Sequence, residues 1–226
     1  MNTALSFSGG KDSFACLYLF EHQLKDIIVI WANTGKNYPE SLEMIQKAME
    51  ICPNFVEILV DREHNNDEKG IPSDVVPIRN TEVGRIISGE TDIRVQSYLD
   101  CCYANIGKQI VDYCKANGIT KLIKGQRNDE GNKSTSRDKS IHDGIEYIQP
   151  LDNWTREQVI NYLATKMSIP EHFKFNHSSL DCYDCTAFRA ESKDRVEWMR
   201  DKYPNYFDQY QTRLNLVHKA IYEALI

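Results

Sequence analysis

The chain has 226 residues, 41% of them hydrophobic and 27% charged, which is ordinary for a globular protein and long enough to bury a self-sufficient core. A formal charge of −6 argues against bulk electrostatic binding of nucleic acid, although a local basic groove at 133–139 stays open. There is no apolar run of membrane-spanning length and no basic stretch ahead of an apolar one, so a cytoplasmic protein with neither membrane association nor secretory signal is expected. Its seven cysteines then read as ligands, nucleophiles or core thiols rather than disulfides.

In chain order, residues 4–7 form a short apolar strand. Ser8-Gly9-Gly10-Lys11-Asp12-Ser13 follows, and residues 14–24 have helical apolar spacing. Ile27-Ile28-Val29-Ile30-Trp31 is the continuous run of a buried parallel strand. A helix over 41–51 stops at Pro53, and 55–60 is a third strand. The β-α-β-α-β order predicts a doubly wound α/β fold with a mainly parallel sheet and helices on both faces. The loops at 8–13, 33–35 and 125–127 fall at the same sheet edge.

Residues 61–70 read as polar and exposed, and 75–78 and 83–87 carry no firm assignment. A helix is predicted over 100–116, a strand at 121–124 and an edge strand at 146–148. Thr155 caps a helix to about 165, with Glu157 near its start. Residues 191–225 are mostly helical, broken at Pro204. The expected division is a nucleotide-binding domain over 1–186 with a helical segment, 187–226, packed on it.

The glycine loop suits phosphate. Two glycines let the backbone turn tightly, and the next helix offers unpaired N–H groups at its positive end. It is neither a Walker P-loop nor a Rossmann glycine motif. Cys101-Cys102 and Cys182-x-x-Cys185 form a second pattern. Adjacent helical residues diverge by about 100°, so both thiolates reach one site only if it is large. A cubane iron–sulfur cluster suits that better than one zinc ion, though thiolate ligation fits either. Cys16, Cys52 and Cys114 read as core thiols.

The glycine loop resembles the PP-loop of the adenine nucleotide α-hydrolase superfamily. Taken with Cys-Cys, Gly125-x-Arg127, Pro150-Leu151-Asp152-Asn153-Trp154-Thr155 and Cys182-x-x-Cys185-Thr186, in that order, the chain is similar to the cluster-containing branch of the adenylyl-sulfate and phosphoadenylyl-sulfate reductase family. The resemblance covers roughly 3–190. It implies that Ser6, Ser8, Gly9, Gly10, Lys11, Asp12, Ser13, Thr34, Gly35, Gly125, Arg127 and Arg137 bind the nucleotide. Lys11, Lys108 and Arg127 would be catalytic cations, and Cys101, Cys102, Cys182 and Cys185 would hold a 4Fe–4S cluster. Two features depart from the family pattern. Asn33 stands where Asp is usual, and no cysteine follows Cys185, whereas the reductases carry a C-terminal nucleophilic cysteine.

Three functions follow as expectations. The first is an enzyme that binds ATP with Mg2+, cleaves at the α-phosphate and acts in thiolation, with a nucleic-acid or protein sulfur acceptor and a sulfur-donor protein. The second is a sulfonucleotide reductase that uses a thioredoxin-like partner and a nucleophile from elsewhere, such as Cys114. The third is a non-catalytic nucleotide-binding module with a structural metal. Oligomerisation is compatible with all three.

Overall fold

The computed structural model describes residues 1–89, 93–130, 136–175, 180, 182–189 and 192–226. Its first elements are β1 (Thr3–Ser6), α1 (Lys11–Leu19), β2 (Ile27–Asn33), α2 (Pro39–Ile51), β3 (Phe55–Leu59), α3 (Arg62–Lys69), β4 (Ile71–Ser73), α4 (Glu82–Ser88) and β5 (Val95–Ser97). Then come α5 (Tyr98–Cys102), α6 (Lys108–Ala116), β6 (Lys121–Lys124), β7 (Ile141–His142), β8 (Ile145–Ile148), α7 (Arg156–Ala164), α8 (Glu171–Phe175), α9 (Lys193–Lys202) and α10 (Pro204–Leu225). They fall into two compact units that interleave along the chain. One comprises Met1–Asn33, Tyr38–Leu59 and Gln109–Ser179; the other comprises Thr34–Asn37, Val60–Lys108 and Leu180–Ile226.

The first unit is built on a six-stranded sheet of order β3-β2-β1-β6-β8-β7, parallel except for β7. Leu5 of β1 lies in register with Val29 of β2 and Ile123 of β6, and all three are fully buried. This explains the unbroken apolar run of β2, since a central parallel strand is covered on both faces. Phe14 and Leu17 of α1 join Val159 and Leu163 of α7 in one core, and the two helices pack together. Truncating such a side chain to alanine costs about 2–5 kcal/mol. From β1 the chain winds outward through β2 to β3, then returns to place β6 on the other side of β1. The winding reverses between β1 and β6. In open α/β sheets, ligands bind beyond the strand C-termini at such a point.

One expectation for this unit changes. Residues 146–148 are not at the edge, because β8 lies between β6 and β7. Asp143-Gly144, with φ of 55° and 78°, makes the two-residue hairpin turn that adds β7 outside. Thr155 caps α7 as expected, with Glu157 in the first turn, and Gln158 completes a reciprocal capping box.

In the second unit, β4 and β5 form a small parallel pair. The 61–70 stretch is not simply an exposed polar loop. It forms α3, N-capped by Asp61, with Arg62 and Asn66 one turn apart and both buried. The helix expected from 100 begins at Tyr98, and a π-helical turn at Tyr103–Gly107 precedes α6. Within that turn Asn105 Nδ2 donates to the Cys101 carbonyl at 2.8 Å, compensating for the altered ladder. On α10, Tyr210, Leu214, Val217 and Ala220 are buried at helical spacing. No described helix is long and apolar enough to cross a membrane.

Candidate functional site

The loop after β1 sits at the switch point of the first unit, facing the loop after β6. Phe7 N–H donates to the Ile30 carbonyl at 2.8 Å, which anchors the exit from β1. Gly9 has φ +77°, and a side chain there would press on the Ser41 carbonyl at 3.2 Å. Ser13 Oγ donates to the Gly10 carbonyl at 2.9 Å and lies 3.3 Å from Ser8 Oγ, which in turn accepts from the Gly10 N–H at 3.3 Å. The two serines therefore hold the loop in shape. Gly10 at the N-cap has no side chain to cap α1, so the helix N-terminus presents its donors and positive dipole end, an arrangement able to take an anion.

Gly125, just after β6, explains the Gly-x-Arg spacing. A Cβ there would lie 2.7 Å from the backbone carbonyl of Asp12 and 2.9 Å from the Ser13 nitrogen. Two backbones meet, and only glycine fits. Two residues on, Arg127 is 3% exposed and bonds Asp12 through Nη1. Its Nε donates to Asp129 at 2.7 Å, and Glu130 lies 3.6 Å from Nη1. Lys11, also buried, reaches Asp12 at 3.3 Å. Burial opposes the charge on Arg127, but Asp12 and its neighbours outweigh it and hold the guanidinium protonated. Burial and the Asp12 charge push the Glu130 carboxyl above its usual range. At Asp129 burial works the same way but is overcome by Arg127, which lowers it. The chemistry on offer is two cations in the loop wall, a helix N-terminus, and three carboxylates grouped on one arginine.

Sequence reasoning missed Lys124. It ends β6 in register with Ser6 of β1, and burial lowers its pKa. Its Nζ is 3.4 Å from Ser136 Oγ and sits over the Tyr147 ring. The available signal was a lysine closing an apolar strand next to a phosphate loop. Arg137 is exposed, and its Nη1 donates to the Ser136 carbonyl at 3.0 Å. The start of the candidate basic groove, 133–135, lies outside the described residues. The segment that includes Pro150, Asp152 and Trp154 lines a cleft of about 470 Å³, together with Asp138, Lys139 and Gln149.

Asn33-Thr34-Gly35 divides between the units. Asn33 donates to Glu57 at 2.6 Å within the first. Thr34 belongs to the second, where its hydroxyl lies 3.3 Å from Cys182 Sγ. Gly35, at φ +72°, and the exposed Lys108 also fall there. The second unit contains all four pattern cysteines: Cys101 and Cys185 buried, Cys182 half-buried, Cys102 exposed. Burial raises the Cys101 thiol, against the pull of Arg62. Cys16, Cys52 and Cys114 are buried in the first unit, and burial pushes the thiols of Cys52 and Cys114 up to about 11. That makes Cys114 a poor attacking thiolate. Among the described residues, no three His, Cys, Asp or Glu side chains converge as a ready metal site. The four-thiol donor set nevertheless fits a thiolate-bound metal group in kind, and two buried guanidinium nitrogens without a hydrogen-bond partner, Nε and Nη2 of Arg213, lie in the same unit.

Residues 2–188 match the family described as the Phosphoadenosine phosphosulfate reductase domain. A 7-cyano-7-deazaguanine synthase of Staphylococcus aureus (strain bovine RF122 / ET3-1) is 22% identical over 192 residues, which is 71% of this chain and 78% of that protein. The crystal structure of phosphoadenylyl-sulfate reductase from Candida auris, as a phosphate complex, superposes with a TM-score of 0.55 at 16% identity. That match covers 82% of this chain and 83% of that one, and it establishes a common fold.

Proposed function

The chain belongs to the phosphoadenosine phosphosulfate reductase domain family, and from that premise we propose that it binds Mg·ATP in the loop Ser8–Ser13, cleaves at the α-phosphate and acts in sulfur transfer. The observation that carries ATP over a sulfonucleotide is the grouping of Asp12, Asp129 and Glu130 on Arg127 beside the loop. A triphosphate bearing a divalent cation offsets those carboxylates. A sulfonucleotide without a metal meets them as like charges.

In this reading the α1 N-terminus seats the phosphates, with Lys11 and Arg127 stabilising charge that builds up as the α-phosphate is attacked. An acceptor oxygen bonds to the α-phosphorus, the α–β bridging bond breaks, and pyrophosphate leaves with the electron pair. The acceptor proton passes to solvent. A sulfur nucleophile then displaces AMP from the activated carbon. Arg137, in the same unit as the loop, is proposed to assist at the outer phosphates. Cys101, Cys102, Cys182 and Cys185 are proposed to hold a 4Fe–4S group, which when bound would order the segments that carry them. The acceptor is a nucleic acid or a protein.

A sulfonucleotide reductase is the second reading, favoured by the description of the matched family. The test is product analysis on anaerobically prepared protein supplied in turn with ATP and Mg2+, and with adenylyl sulfate and a dithiol protein. Pyrophosphate and AMP from ATP support the proposal. Sulfite from adenylyl sulfate, with ATP untouched, supports the second reading instead.

A further inference from the structure

The second unit contains a buried charge arrangement that the nucleotide loop does not use. Arg62, at the start of α3, is 2% exposed, and its Nη1 donates to both carboxylate oxygens of Asp184 at 2.8 and 3.0 Å. Arg213 of α10 approaches the same carboxylate at 3.5 Å. Two guanidiniums thus share one buried carboxylate, leaving a positive charge over. Among the described residues, both Nε and Nη2 of Arg213 are buried without a hydrogen-bond partner. Such atoms are costly to bury unless something answers them.

The surroundings indicate what does. Asp184 sits inside Cys182-x-x-Cys185. Asn66, one turn along α3 from Arg62, accepts from Cys101 Sγ at 3.7 Å. The first turn of α3 thus meets the Cys182-x-x-Cys185 segment through Asp184 and Cys101 through Asn66. Four neutral thiols leave the surplus charge of the two guanidiniums unanswered. Four thiolates around a metal group carry net negative charge and answer it.

We propose that Arg62, held in place by Asp184 and Arg213, is the positioning countercharge of an anionic thiolate–metal group bound by Cys101, Cys182 and their partner cysteines. This rests on the thiolate-site reading above and assigns it three further residues.

The full chain is prepared anaerobically as wild type, Arg62→Lys, Arg62→Met and Asp184→Asn. Iron, sulfide and zinc are assayed per chain, and thermal midpoints are recorded for loaded and metal-stripped protein. Metal-stripped Arg62→Met should melt no lower than stripped wild type, because Asp184 keeps Arg213. Loaded, it should hold at most half the wild-type metal and lose most of the stabilisation that metal gives. Arg62→Lys should keep most of the metal, and Asp184→Asn should melt lower in both forms. Iron with equal sulfide identifies a cluster; one zinc identifies a mononuclear site; either supports the countercharge if Arg62→Met loses it. Full loading of Arg62→Met overturns the inference alone. So does a stripped Arg62→Met that melts as low as Asp184→Asn, which marks an ordinary structural ion pair. Wild type that takes up neither metal overturns the thiolate-site reading, and the inference falls with it.

Discussion

Replacing Gly125 with alanine tests whether the two loops at the switch point form one site. The new methyl would lie 2.7 Å from the Asp12 carbonyl carbon and oxygen and 2.9 Å from the Ser13 nitrogen, all backbone atoms that cannot rotate aside. The first turn of α1 must therefore move by several tenths of an ångström, and overpacking of this kind costs about 1–3 kcal/mol. Gly118→Ala supplies the control. Gly118 has φ +66° and open space around its would-be Cβ, so alanine there carries backbone strain of about 1 kcal/mol without touching α1. Calorimetric titration with Mg·ATP and with adenylyl sulfate, alongside thermal melts, separates the two effects. Both variants should lose comparable stability. Only Gly125→Ala should weaken nucleotide binding, by about tenfold or more, because tenfold corresponds to ~1.4 kcal/mol of displaced phosphate contact. Wild-type affinity in Gly125→Ala would show that the α1 N-terminus is not the phosphate seat.

Glu130→Gln should raise the thermal midpoint at neutral pH. The Glu130 pKa is raised in the fold, so its ionised form opposes folding, and the gap should close as pH falls into the ordinary carboxylate range; a gap that widens on acidification contradicts this. Arg127→Lys keeps a charge but loses the fork that reaches Asp12 and Asp129, so nucleotide affinity should drop while melting changes less; unchanged affinity would remove Arg127 from the site. Thr155→Ala removes the α7 cap and should cost about 1 kcal/mol in denaturant melts without altering nucleotide affinity.

Most of the first unit is legible in the sequence because its strands are continuous apolar runs and its loop has a rare composition. Ile27 to Trp31 reads as a covered strand, and Ser8 to Ser13 reads as a tight turn between a strand and a helix. Asp143-Gly144 was equally legible as a hairpin signal, but its strands are too short to register as periodic. Elsewhere the reason is physical. Arg62 and Asn66 look like solvated residues because nothing local shows that Asp184 and Cys101 will meet them. The π-helical turn at Tyr103–Gly107 follows from packing rather than propensity. Asp129 and Glu130 lie two and three residues beyond Arg127, yet their grouping with Asp12 needs the return of the chain to β6. The assembly of 34–37, 60–108 and 180–226 into one unit is a tertiary fact that no periodicity encodes.

The most direct test of the central claim is the affinity of wild-type protein for ATP with and without Mg2+, set beside that for adenylyl sulfate in the same buffer. Carboxylates grouped at the loop predict ATP binding that strengthens at least tenfold with Mg2+ and exceeds adenylyl-sulfate binding. Tighter adenylyl-sulfate binding, indifferent to Mg2+, would contradict it.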